Sequence, residues 1–199
     1  VPTYNKECFV YEVLDRNDAP LGVLNFDPYM RKEKRGGAWC GLFRNGLFAT
    51  DSTRIFPIVT VVCNFTPPTG SQSPLLTLDE TKTLFHEFGH ALHKLFSKTK
   101  YNGTSYSEWD FVELPSQIME NWATEPEVLR FYARNYQTGD PIPEHLIRKI
   151  HSSKSSNQGF ATTEMIAASL LDMDLHSITE YETIDLDAFE QQALYEKRG

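Results

Sequence analysis

Cysteine is scarce in this chain. Cys8, Cys40 and Cys63 are its only three, an odd number with no C-x-x-C spacing. That usage excludes a disulfide framework and a cysteine-based metal site, and it points to a reducing, cytoplasmic setting. Long apolar runs are also missing: no stretch approaches the roughly 20 residues that a membrane helix needs, so no membrane partner is expected. Positive charge is in deficit, with 19 Lys and Arg against 27 Asp and Glu and a net charge of −8. This balance argues against a general phosphate-binding role, and hence against nucleic acid as a partner. The one basic run, Arg31-Lys32-Glu33-Lys34-Arg35 ahead of Gly36-Gly37, is expected to be a short solvated loop. Internal repeats and low-complexity segments are lacking. No signal peptide is seen, and a start at Val1 rather than at methionine is expected of an excerpt. What remains is 199 residues with 40% hydrophobic content, enough for one sizeable core.

The most informative segment is His86-Glu87-Phe88-Gly89-His90, an H-E-x-x-H sequence. Residues four apart on a helix lie within about 40° of each other and about one 5.4 Å pitch apart, so two imidazoles so placed can grip one ion. Glu87 is rotated by about 100° from His86. It can therefore face a water at the ion without binding the ion, which is what a general base requires. Zinc in a catalytic site takes three protein ligands and leaves a position open. The helix is predicted independently of the motif. Thr77 and Glu80 form a T-x-x-E capping box with Thr77 as N-cap, and Leu84, Phe88, Ala91, Leu92 and Leu95 recur along one apolar arc widened by Phe85 and Phe96. The two motif histidines are expected to point the other way, above that packed side. His93 shares the histidine face, but two turns of rise, about 10.5 Å, separate it from His86. The two cannot bind one ion, so His93 is expected to support the site or the fold.

A third ligand must come from elsewhere. A metzincin would continue H-x-x-G-x-x-H, whereas here His93 stands where Gly is needed and Phe96 where the last His belongs, which excludes that class. The downstream acids are Glu108, Asp110, Glu113 and Glu120. Glu113, Gln117 and Glu120 share one face of a second predicted helix, in which Leu114, Ile118, Met119 and Trp122 supply apolar contacts. Pro115 sets that helix to start or bend near it. Periodicity leaves Glu113 and Glu120 both open.

The run Phe85-His86-Glu87-Phe88-Gly89-His90-Ala91-Leu92-His93, followed by Asp110-Phe111-Val112-Glu113-Leu114-Pro115-Ser116-Gln117 and Glu120-Asn121-Trp122, resembles the thimet oligopeptidase and oligopeptidase A family of zinc metallopeptidases. It is most similar to the peptidyl-dipeptidase members. The resemblance implies a zincin fold with one zinc on His86, His90 and Glu113, and Glu87 as the catalytic base. It also implies short peptides as substrates, dipeptides released from their C-termini, and a monomer when intact. Substrate contacts are implied for Asn64, in the stretch Val59–Thr66 before the motif helix, and for Gly103 and Thr104 in the loop Asn102-Gly103-Thr104. Glu120 and Asp79 are candidates to orient the ligands. Family members carry a helical portion upstream and a His- and Tyr-bearing segment downstream, neither of which is found here. The chain is thus expected to be part of the catalytic domain, to bind zinc and to hydrolyse peptides poorly alone. The alternative is a non-catalytic, zinc-stabilised structural module, which would have no use for Glu87.

The fold class expected is α+β and mainly helical, a zincin-like core with a small antiparallel sheet near the N-terminus. Phe9–Leu14 and Leu21–Phe26 read as a hairpin, and Ile58–Val62, β-branched and bounded by prolines, as a strand that is either an edge able to pair with a peptide or a plain core strand, which the sequence leaves open. Further helices are expected over 125–136, 144–153, 160–177 and 187–197. The chain divides accordingly into a strand-rich lobe (1–66), the zinc-binding helices (77–124) and a helical remainder (125–199).

Overall fold

In the run Ile58-Val59-Thr60-Val61-Val62-Cys63-Asn64-Phe65, branched and apolar side chains dominate both faces, as suits a strand covered on two sides. A computed structural model describes the chain except for residues 1–2, 50, 71–72, 102, 154, 180–182 and 197–199. It makes this run strand β6, the centre of the main sheet. The other strands are β1 (Phe9–Leu14), β2 (Pro20–Tyr29), β3 (Trp39–Arg44), β4 (Leu47–Phe48) and β5 (Arg54–Ile55). The helices are α1 (Leu78–Phe96), α2 (Leu114–Trp122), α3 (Pro126–Tyr132), α4 (Glu144–Ser153), α5 (Gln158–His176) and α6 (Leu186–Gln191), the last running into a π-helical turn at Gln192–Glu196.

The expected hairpin forms, with β1 antiparallel to β2. The sheet as a whole is mixed, however, in the order β1-β2-β6-β3. β2 and β6 are parallel, with Leu24 opposite Val59 and Phe26 opposite Val61, while β3 is antiparallel to β6, with Cys40 opposite Val61. This corrects the expectation of a purely antiparallel sheet, and it decides between the two readings of β6 in favour of an interior strand. The physical reason is that parallel pairing requires a long connection, here residues 30–57, whose outcome no local pattern encodes. β3 went unforeseen because Gly36, Gly37, Gly41 and Gly46 interrupt the strand signal around it.

One face of the sheet carries the core. Leu24, Val59, Val61, Cys63 and Phe65 pack against Ala91 and Leu95 of α1, with Leu84 and Cys40 at the margin. α1 starts as expected: the Thr77 side chain accepts from the Glu80 N–H, and the Glu80 carboxylate accepts from the Thr77 N–H. Phe88, expected in the core, is 38% exposed and lines an apolar groove with Leu84, Phe85 and Met119. Glu87 and His90 are buried instead, along with Gly89, Ala91 and Leu95. α2 crosses α1 at Gly89, where an added Cβ would lie 2.6 Å from both the Pro115 carbonyl oxygen and the Ser116 Cα. Pro115 sits in the first turn of α2, where its missing N–H costs no hydrogen bond.

The opposite face holds a buried ion cluster. Asp27, 1% exposed, accepts two hydrogen bonds from Arg31 at 2.7 and 2.8 Å, one from Lys34 at 3.1 Å and one from the Tyr4 hydroxyl at 2.7 Å. Lys34 also donates to the Tyr29 carbonyl at 2.8 Å and to that of Cys63. The basic run is therefore not the solvated loop expected from its composition. Two of its cations turn inward because a carboxylate on β2 waits there, a partner four and seven residues away that only the strand's path brings into reach.

The chain divides into two units, Val1–Pro143 and Glu144–Gly199. The second contains α4 to α6, with Ile147 and Ala193 buried in it. The helices of residues 125–199 fall near their expected places, α4 with the expected bounds and α3 ending four residues early. Among the described residues no helix is long and apolar enough to cross a membrane.

Candidate metal centre

α1 is rigidly capped and pressed on the sheet, so His86 and His90, one turn apart, project together from it. Their rings meet edge to face, with centroids 5.0 Å apart. Glu113, at the N-cap of α2, places its Oε2 3.1 Å from His86 Nε2 and 3.2 Å from His90 Nε2. The three ligand atoms lie within 4.8 Å of one another. Ligands about 2.1 Å from a tetrahedral ion stand roughly 3.4 Å apart, so one ion of zinc's size fits among these donors after a small relaxation. Two imidazoles and a carboxylate also suit zinc chemically.

The surroundings hold this geometry. His86 Nδ1 lies 2.7 Å from Glu120 Oε1, leaving its Nε2 aimed at Glu113. Ser116, fully buried, donates to Glu113 Oε2 at 2.8 Å. That bond, followed by the attraction of His90 and His86, holds the Glu113 carboxyl below its ordinary range against the opposing effect of partial burial. Burial pushes the His90 imidazole below its usual range. Burial likewise pushes the Glu87 carboxyl up, with Glu113 adding to the rise and His86 and Lys94 opposing it. Glu87 Oε2 and His90 Nδ1 are buried without a hydrogen-bond partner among the described residues. Glu87 is thus an unsatisfied proton acceptor beside the donor set, in a cavity of about 320 Å³ that His86, His90, Glu113, Ala38, Trp39 and Lys94 also line.

None of the remaining expected site residues lines that cavity. Asn64 spends its amide on the carbonyls of Arg35 and Gly37, at 2.7 and 2.6 Å. Gly103, with φ +86°, and Thr104, bonded to the Tyr101 carbonyl at 2.8 Å, form a turn; Asn102 lies outside the described residues. Glu108, Asp110 and Asp79 are exposed. His93 rests its ring on the edge of Phe111, centroids 6.5 Å apart. Sequence reasoning missed Ser116 and the wall formed by Ala38, Trp39 and Lys94. A serine three residues beyond a candidate ligand, in the first turn of a helix, is a usable signal for the former. Ala38 and Trp39 had none, since β3 was not recognised, whereas Lys94 lies one turn past His90 on the predicted helix.

Comparison with known proteins agrees with the geometry. The family model described as Peptidase family M3 matches residues 1–197. The dipeptidyl carboxypeptidase of Escherichia coli (strain K12) is 40% identical over 198 residues, 98% of this chain and 28% of that protein. Oligopeptidase A of Salmonella typhimurium is 37% identical over 180 residues, covering 89% and 26%. The organellar oligopeptidase A of Arabidopsis thaliana is 37% identical over 183 residues, covering 88% and 23%. The chain thus spans about a quarter of the length of these relatives. With a family match along nearly its whole length, this chain belongs to peptidase family M3.

Proposed function

We propose that the chain is the metal-binding part of a zincin-type catalytic domain, in a zinc-dependent peptidase that cleaves short peptides. The observation that carries this reading is the placement of His86 Nε2, His90 Nε2 and Glu113 Oε2 at ligand separations, with the unpartnered Glu87 carboxylate beside them. His86, His90 and Glu113 would hold one zinc ion, which when bound supplies Lewis acidity to the scissile carbonyl and to the attacking water. Glu87 takes a proton from that water as its oxygen bonds to the carbonyl carbon, then delivers it to the amine nitrogen as the C–N bond breaks. A carboxyl raised by burial suits both halves of that transfer. Glu120 orients His86, and Ser116 orients Glu113.

The dipeptidyl carboxypeptidase similarity supports release of C-terminal dipeptides by the longer protein. The three thiols are free, which fits a cytoplasmic setting. The structural-module alternative is disfavoured by Glu87, because a closed structural site needs neither a buried acceptor nor an open position.

Zinc titration of the chain against a chromophoric chelator tests the ligand set: one ion per chain is expected, and none in His86→Ala. A peptide-cleavage assay on the longer protein tests the chemistry. Glu87→Gln should keep the metal stoichiometry and abolish turnover; retained turnover would remove Glu87 from its role.

A further inference from the structure

β3 lies at the edge of the sheet, paired on one side with β6, and the metal cavity opens beside it. A second cavity, of about 450 Å³, continues along β3 past Leu42, Phe43 and Asn45, with Tyr106 and Trp109 on its other wall. The two cavities share Cys40, Lys94, Trp109 and Val112 as lining residues. They therefore form one groove, and Lys94 stands at the junction. Trp109, 94% exposed, and Phe43, 81% exposed, present apolar surface to an occupant. An extended peptide suits such a groove, because the free backbone groups of an edge strand bond to any sequence.

The charge in this groove is unusual. In a chain of net charge −8, no Asp or Glu lines the second cavity. Half-buried Lys94 forms no ion pair with a carboxylate among the described residues. It also lines the metal cavity, together with Glu87, His90 and Glu113. His93 on the same wall adds a second polar group. An ammonium with three donors, held beside a peptide path and in ion-pair contact with no carboxylate among the described residues, is equipped to receive an anionic group in a charge-assisted hydrogen bond.

We infer that Lys94 is a specificity residue, which binds a carboxylate of a peptide lying in the groove along β3. This rests on the reading of the metal centre as a peptide site. The carboxylate has two sources, the peptide's C-terminus or an acidic side chain.

The test uses the zinc-loaded full chain carrying Glu87→Gln, so that bound peptide is not consumed, and four fluorescent short peptides in two pairs. One pair compares a free C-terminus with its amide, and the other an internal Glu with Gln. Fluorescence anisotropy should show about a tenfold preference for the carboxylate member of one pair, the size expected of one charge-assisted contact in a half-buried setting. The pair that shows it identifies the source. Lys94→Met should abolish the preference while leaving the Kd of the neutral peptides unchanged, and Lys94→Arg should largely retain it. A preference that survives Lys94→Met, or neutral binding with no preference in either pair, overturns the role of Lys94 alone. Failure of all four peptides to bind overturns the peptide-site reading itself.

Discussion

Asp27 carries the strongest residue-scale consequence outside the candidate metal centre. Burial opposes its charge, but hydrogen bonds from Arg31, Tyr4 and Lys34 outweigh that effect and bring its pKa from 3.8 to about 2. A carboxylate depressed in the folded state stabilises fully above its unfolded pKa and loses that contribution as pH falls through the folded value, by about 2 kcal/mol in all. Acid titration of stability should therefore steepen between about pH 4 and pH 2, and Asp27→Asn should flatten that limb. The same substitution leaves Arg31 and Lys34 uncompensated, so chemical denaturation at neutral pH should show a loss of about 3–5 kcal/mol. At the candidate metal centre, Glu120→Gln removes the anionic partner of His86 Nδ1. Zinc affinity, read by chelator competition, should fall by about 10- to 100-fold with the fold intact. Both residues were visible in the sequence as acids, yet their roles were not equally legible. Glu120 could be placed on a ligand-facing helix side by periodicity, whereas nothing local marks Asp27 as buried, because alternation along β2 says which residues share a face and not what covers it.

At the scale of elements, the contact between α1 and α2 decides whether a donor set exists. Gly89 lets the two backbones approach, and a methyl group there would meet the Pro115 carbonyl and the Ser116 Cα at 2.6 Å. Gly89→Ala should therefore cost about 1–3 kcal/mol, as overpacking does, and should also weaken zinc binding, because Glu113 rides on the helix that is pushed away. A thermal melt and a zinc titration on the same variant check both effects. Thr77→Ala tests a different aspect of α1. Losing the side-chain half of the capping box should cost about 1 kcal/mol without changing zinc stoichiometry, since the histidines lie more than two turns from the cap. α1 was legible from its cap to its last turn, because capping and a 3.6-residue period are local. Its inward-facing residues were less so: Phe88 belonged to the apolar arc by spacing but lies at a groove, while Glu87 and His90 are buried between helix, sheet and α2.

For the whole molecule, a ligand that binds only the folded chain should stabilise the unit that holds it. Zinc at a hundredfold over its Kd should add about 2.7 kcal/mol. Hydrogen exchange should then slow in α1 and α2, within the unit Val1–Pro143. Readable from the linear chain alone were the motif helix, its cap, the β1–β2 hairpin, the strand of β6 and the few acids near the histidines. These follow from interactions within a few residues, or from a periodicity that one turn or one pleat repeats. Tertiary structure alone decided that β6 is interior and β3 the edge, that Arg31 and Lys34 fold back onto Asp27, and that Glu113 meets the two Nε2 atoms while Glu120 meets Nδ1. Each of those outcomes depends on groups brought together by the path of the chain in space, and a linear pattern holds no measure of that distance.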